Sequence, residues 1–162
     1  MILGLSVATF TLLHVAISLI GILSGLVVLA FMVLGGRLRF TTDLFVVTTI
    51  LTSATGFLFH SPMIGPPHIV GALSLLILAV ALVALYAKHL VGVWRPTYIV
   101  CAVTALYLNV FVGVVQAFGK LPALKALAPT GSEPPFKIAQ AVVLILFIGL
   151  GYLAVKGSRT GA

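Results

Sequence analysis

The chain has 162 residues, of which 62% are hydrophobic and 7% charged, and its net charge of +7 comes from nine Lys and Arg set against Asp43 and Glu133. A soluble domain carries roughly a quarter charged residues, and a chain of this size folding in water needs a polar surface that this composition cannot supply, so most of the surface must face a lipid bilayer. The basic residues stand singly or in pairs between apolar runs, which excludes a groove-lining patch and with it nucleic acid as a partner.

A span needs about 20 predominantly apolar residues to cross roughly 30 Å of hydrocarbon. The first 36 residues contain no charge, and residues 5–34 predict a long helix ended by Gly35 and Gly36. A secretory signal would have a basic start and an apolar core of about 7 to 15 residues, so this segment reads as a retained span. His14, Ser18, Gly21 and Gly25 fall on one face of it, at steps of four, three and four. The Gly21-x3-Gly25 pair permits close helix approach. An imidazole within the hydrocarbon is costly enough to turn toward the bundle interior or a cavity, either as a cross-helix hydrogen bond or as a ligand or proton carrier.

Residues 43–60 predict a second, shorter helix, with Thr41, Thr42 or Asp43 available as its N-cap. Its hydroxyls, Thr48, Thr49, Thr52, Ser53 and Thr55, are expected to bond back to carbonyls or across to neighbouring helices, with the lining of a polar path as the alternative. Three prolines and a glycine between Ser61 and Pro67 end any helix. A third helix is predicted over 67–87, with proline tolerated in its first turn. After the basic link from Lys88 to Arg95, a fourth is predicted over 97–118. It places Asn109, Gly113 and Gln116 on one face, and an amide near mid-membrane needs a partner, so that face should point inward. Cys101, the one cysteine, lies in an apolar run and reads as a small core residue.

Gly119, Pro122, Pro129, Gly131, Pro134 and Pro135 interrupt the stretch 119–135, which cannot span. Within 119–130, the apolar run Leu121–Leu127 with Lys125 suits a helix lying at the membrane interface, with a re-entrant loop as the alternative. A last helix is predicted over 135–155, closed by Lys156 and Arg159. The expected fold class is therefore all-α: a single domain, an integral membrane bundle of five transmembrane helices, or four plus an interfacial or re-entrant segment. Tyr86, Trp94, Tyr98 and Tyr152 sit where interfacial anchors are expected, and His89 beside Lys88 reads as solvated.

With the N-terminus outside, the inner links hold Arg37, Arg39, Lys88, Arg95, Lys156 and Arg159, six residues, against Lys120, Lys125 and Lys137 outside. The excess of inner positive charge favours an N-out, C-cytoplasmic protein of an inner membrane. This topology gathers His14, His60 and His68 toward the outer side, with Gln116 and Glu133. Met63 completes a His-x2-Met-x4-His run on a loop stiffened by Pro62, Pro66 and Pro67. Imidazole binds copper, zinc or haem iron, and a thioether suits Cu(I) or a haem axial position. His14, His60, His68 and Met63 are thus candidate ligands for haem b or copper, and Ser18, Asn109, Gln116 and Glu133 for a polar pocket nearby. The competing reading of His60 and His68 is interfacial or capping.

The run Gln116-Ala117-Phe118-Gly119-Lys120-Leu121-Pro122-Ala123-Leu124, continuing through Ala128-Pro129-Thr130 and Ser132-Glu133-Pro134-Pro135-Phe136, resembles a segment of uncharacterised small bacterial multi-pass membrane proteins grouped loosely with the DoxX-like four-helix proteins. The likeness covers about the last quarter of the chain. It implies a bacterial inner membrane and an association with redox or thiol metabolism, assigns no functional residue, and departs from this chain in having four spans rather than five.

No P-loop, dinucleotide glycine pattern, Cys-x2-Cys pair, His-Glu-x2-His or serine elbow is present. Asp43 and Glu133 fall at opposite membrane faces, too far apart for acid and base work, so no catalytic residue is assigned and hydrolysis and phosphoryl transfer are disfavoured. Three functions compete: a haem- or metal-binding protein, an accessory or structural subunit of a larger membrane complex or homo-oligomer, and a small transporter or channel.

Overall fold

The structure, a computed structural model, describes residues 1–59 and 65–160. They form α1 (Val7–Val33), α2 (Arg39–Gly56), α3 (Pro66–Leu82), α4 (Trp94–Lys120), α5 (Pro122–Leu127) and α6 (Pro134–Thr160), with a π-helical turn over Val83–Ala87 continuing α3. No strand occurs among the described residues. Four segments, Val7–Val33, Pro66–Ala87, Trp94–Lys120 and Pro134–Ser158, are long and apolar enough to cross a membrane, with mean hydropathies between 2.2 and 2.7.

Local chemistry sets the helix ends. The Ser6 hydroxyl accepts the Thr9 N–H at 3.1 Å and caps α1. At the other end Gly35 adopts φ +75°, while the Gly36 N–H reaches the Phe31 carbonyl and the Gly35 N–H that of Met32, a Schellman closure that only glycine enters without strain. Pro66 and Pro67 open α3, where their missing N–H groups have no helical partner to lose. The chain leaves the π turn through His89 and Leu90, both at positive φ, a conformation sterically costly for residues with a Cβ.

Around the bundle the helices run α1, α2, α3, α4, α6 and back to α1, with α1 and α4 also touching across the middle. Gly21 and Gly25 of α1 meet α2 and α4 closely, where a Cβ on Gly25 would lie 2.6 Å from Leu106 and 2.8 Å from the Phe45 ring, and Gly157 of α6 lies as close to α1, where a Cβ would sit 2.5 Å from the Val33 carbonyl. Phe45 and Leu106 are fully buried at the Gly25 crossing, as is Leu78 of α3 elsewhere in the bundle, and the buried alanines Ala84, Ala105 and Ala154 let the other backbones approach. Leu12, Leu19 and Leu23 of α1 and Ile138, Ile145 and Ile148 of α6 point outward, as lipid requires and water would not allow.

α2 departs from the expected bounds. It begins four residues before residue 43, with Leu38 as N-cap and no side-chain cap. Thr42 is buried instead of capping, and Asp43 accepts a 2.5 Å hydrogen bond from the Tyr86 hydroxyl. Burial of Thr42, Phe45, Val46 and Thr49 along one face rewards the extra turn more than a local cap at Asp43 would. α5 lies within the segment read as interfacial, and no residue of it is buried.

Candidate functional site

His14 sits midway along the N-terminal half of α1, half-buried, with its Nδ1 2.8 Å from Thr55 Oγ1 of α2. Thr55 has a single hydroxyl proton, and its oxygen lies 2.6 Å from the Leu51 carbonyl, a separation that requires that proton between them. Towards His14 the hydroxyl therefore acts as acceptor, and the imidazole carries its proton on Nδ1. That leaves Nε2 as an unprotonated lone pair. The ring stands edge-on to Phe59 at 5.1 Å, and Phe59 in turn meets Phe10 at 5.1 Å, so aromatic walls flank the imidazole. A hydrogen bond fixing one ring nitrogen while the other stays bare is the arrangement that orients a metal-binding histidine.

His68 is held the opposite way. Its Nδ1 accepts the Gly65 N–H at 3.3 Å, closing the first turn of α3, and its ring tilts against Phe57 at 5.8 Å. Its proton thus sits on Nε2, and the residue works as a helix cap, the competing reading raised by the sequence. His60 and Met63 lie outside the described residues. Among the described residues no group of three or more His, Cys, Asp or Glu side chains gathers to hold a metal ion, so of the expected cluster only His14 has a free ligating nitrogen on view.

The polar-pocket residues divide as well. Ser18 bonds back to the Val15 carbonyl at 2.8 Å, and Gln116 is exposed. Glu133 serves its own loop: Oε1 accepts the Thr130 hydroxyl and N–H, and Oε2 the Ser132 N–H, at 2.8 to 3.0 Å. Desolvation pushes this carboxyl up, but those hydrogen bonds together outweigh it and bring its pKa down to about 2. Asn109 alone of the set points into the bundle, with Nδ2 buried and unpartnered beside Gly21, Thr48 and Thr49. The hydroxyls around it are already committed as donors, Thr48 to Leu44 and Thr49 to Phe45, both at 2.7 Å.

Three further polar residues matter to the packing: Ser53 bonds across to a neighbouring helix as one expected reading has it, Gln140 carries no sequence signal, and Tyr98 departs from its expected place. Ser53 donates to Ser74 at 3.0 Å and ties α2 to α3, and Gln140 donates to the Phe111 carbonyl at 3.2 Å and ties α6 to α4. Tyr98, expected as an interfacial anchor, is instead buried, with its hydroxyl beside that of Thr42 in a geometry short of a full hydrogen bond. One turn into α4, it faces the α1 and α2 ends rather than lipid, because the bundle extends past the level that the hydropathy boundary suggests.

No family model matches this chain, and neither the curated proteins nor the solved structures hold a significant relative of it. The chemistry on view is that of one oriented, unprotonated imidazole nitrogen in an aromatic niche of an apolar helical bundle.

Proposed function

We propose that this chain is a five-span protein of a bacterial inner membrane, N-terminus outside and C-terminus cytoplasmic, which binds haem b or a copper ion through Nε2 of His14. One observation carries the ligand assignment: the Nδ1–H bond to Thr55, which leaves the other ring nitrogen bare. Haem or copper at that position would supply one-electron chemistry, and the residues of the chain orient the imidazole and keep its surroundings apolar. A second ligand from His68 would require giving up its Gly65 bond, so the partner position falls to His60 or Met63, the two candidates outside the described residues.

Support for α2 as the fifth span comes from three facts. Its 18 residues reach about 27 Å at 1.5 Å per residue, and its threonines bond back to their own helix, which hides their polarity from lipid. Furthermore, the links before α2 and after α3 meet at one end of the bundle, where Gly36 and Arg37 line the same cleft as His89 and Leu90.

The test is an absorption spectrum with metal analysis on the full chain, purified from cells supplied with haem and copper. A Soret band or stoichiometric copper that disappears in His14→Ala and persists in His68→Ala is the expected result. A colourless, metal-free protein, or equal loading of His14→Ala, overturns the reading. A second reading, a small channel or transporter, draws on the unpartnered Asn109 amide amid the α2 hydroxyls. Proton or ion flux into liposomes that Asn109→Leu abolishes would favour it over cofactor binding.

A further inference from the structure

At the end of the bundle opposite His14, the ends of α1 and α6, the start of α4 and the link after α3 enclose a cleft of about 200 Å³. Arg37, His89 and Arg95 line it, and no carboxylate does. Arg95 is anchored by one N–H to the Ser158 carbonyl at 3.1 Å, which aims the guanidinium and leaves its remaining donors for something else. Tyr98 forms part of the wall. It is 2% exposed, and its buried hydroxyl has only the neighbouring Thr42 hydroxyl beside it, in a geometry short of a full hydrogen bond, so a ligand or water in the cleft can supply a better acceptor. Gly35 and Gly36 keep one rim free of side chains, while Met32 and Ile99 make another part of the wall apolar. The positive φ values of His89 and Leu90 hold the link in the shape that brings His89 to this rim.

Two guanidinium groups, an imidazole and a donor phenol, with no carboxylate in the lining, the nearby Asp43 being held by the Tyr86 hydroxyl, and bordered by apolar side chains at the end of membrane-crossing helices, match one ligand chemistry. We infer that this cleft binds the phosphate of an anionic phospholipid headgroup, with Arg37 and Arg95 on the phosphate oxygens and the Met32 and Ile99 side against the glycerol and acyl portion. A free phosphate ion shares the polar half of this match but has no use for the apolar half. The site is separate from His14 and stands whether or not a cofactor binds there.

The experiment is lipid titration of the full chain in detergent, read by native mass spectrometry, with phosphatidylglycerol, phosphatidylcholine and inorganic phosphate as probes. Saturable retention of a single phosphatidylglycerol is expected, with phosphatidylcholine bound at least tenfold more weakly and inorganic phosphate unable to displace the lipid at millimolar concentration. Arg37→Gln and Arg95→Gln should each weaken retention by about tenfold or more, through loss of a charge-assisted contact. Arg37 is exposed, so its variant reports on binding without threatening the fold. Lys125→Gln, at the other end of the bundle, should leave retention unchanged. Equal binding of the two lipids, native affinity in Arg37→Gln, a Lys125→Gln loss matching that of the arginine variants, or full displacement by inorganic phosphate would each overturn the assignment.

Discussion

Replacing Gly25 by alanine tests the packing account where α1 crosses α2 and α4. The added methyl would lie 2.6 Å from Leu106 Cδ1 and 2.8 Å from two ring carbons of Phe45, whereas carbon atoms settle at about 3.5 to 4.0 Å. Each contact is thus short by on the order of 1 Å. Leu106 and Phe45 are each 1% exposed, so neither can swing aside without pushing α2 or α4 away from α1. Overpacking of this kind costs about 1 to 3 kcal/mol, and three clashing atoms in a rigid corner place Gly25→Ala at the upper end. Gly149→Ala is the control: it adds a methyl to a helix interior with nothing within 4 Å and should gain about 0.5 kcal/mol in helix propensity. Unfolding in mixed micelles of rising dodecyl sulfate, followed by circular dichroism, measures both. A Gly25→Ala protein as stable as Gly149→Ala would refute the α1–α2–α4 crossing as described.

Other consequences are smaller. Thr55→Val removes the acceptor for the His14 Nδ1–H; it should destabilise the protein by about 1 to 2 kcal/mol in the same micelle titration and lower cofactor affinity by roughly 10- to 100-fold by spectral titration. Asn109→Leu discards a buried amide nitrogen that has no partner, so it should be neutral or stabilising by up to about 1 kcal/mol, and a loss above about 2 kcal/mol would show that the amide is bonded after all. The Glu133 carboxyl titrates at about 2 in the folded chain against 4.5 ordinarily. Because the folded value is the lower one, the stabilisation of its loop is fully present above the ordinary value and lost as pH falls through about 2. Amide exchange at Thr130 and Ser132 should lose protection only across that acidic window. Loss of protection near neutrality would contradict it.

Much of the architecture is legible in the sequence because a bilayer leaves the backbone few options. Uncharged runs punctuated by Gly35-Gly36, Pro66-Pro67 and the proline-rich 129–135 stretch announce where helices end, and the Gly21-x3-Gly25 face announces a close crossing. The start of α2 was less legible, since Asp43 looks like a cap until the burial of Thr42 and the Tyr86 hydrogen bond are seen. At the candidate site, spacing proposes His14 and His68 alike and cannot separate them. The difference lies in which ring nitrogen each commits, to Thr55 across a helix pair or to Gly65 within its own first turn, and that depends on contacts distant or local in ways that residue type does not encode. Gln116 and Asn109 share a helical face by counting, yet Gln116 is exposed while the Asn109 amide nitrogen is buried.

The number of crossings, on which the sidedness of His14 and of the basic cleft depends, can be measured with three single cysteines in a Cys101→Ser background, labelled from either face of oriented vesicles. Gly36→Cys, Val91→Cys and Ser132→Cys lie in the links before α2, after α3 and before α6. If α2 crosses, Gly36→Cys and Val91→Cys react from the inner face and Ser132→Cys from the outer. Gly36→Cys and Ser132→Cys reacting together, opposite Val91→Cys, would mean that α2 does not span and would contradict the account.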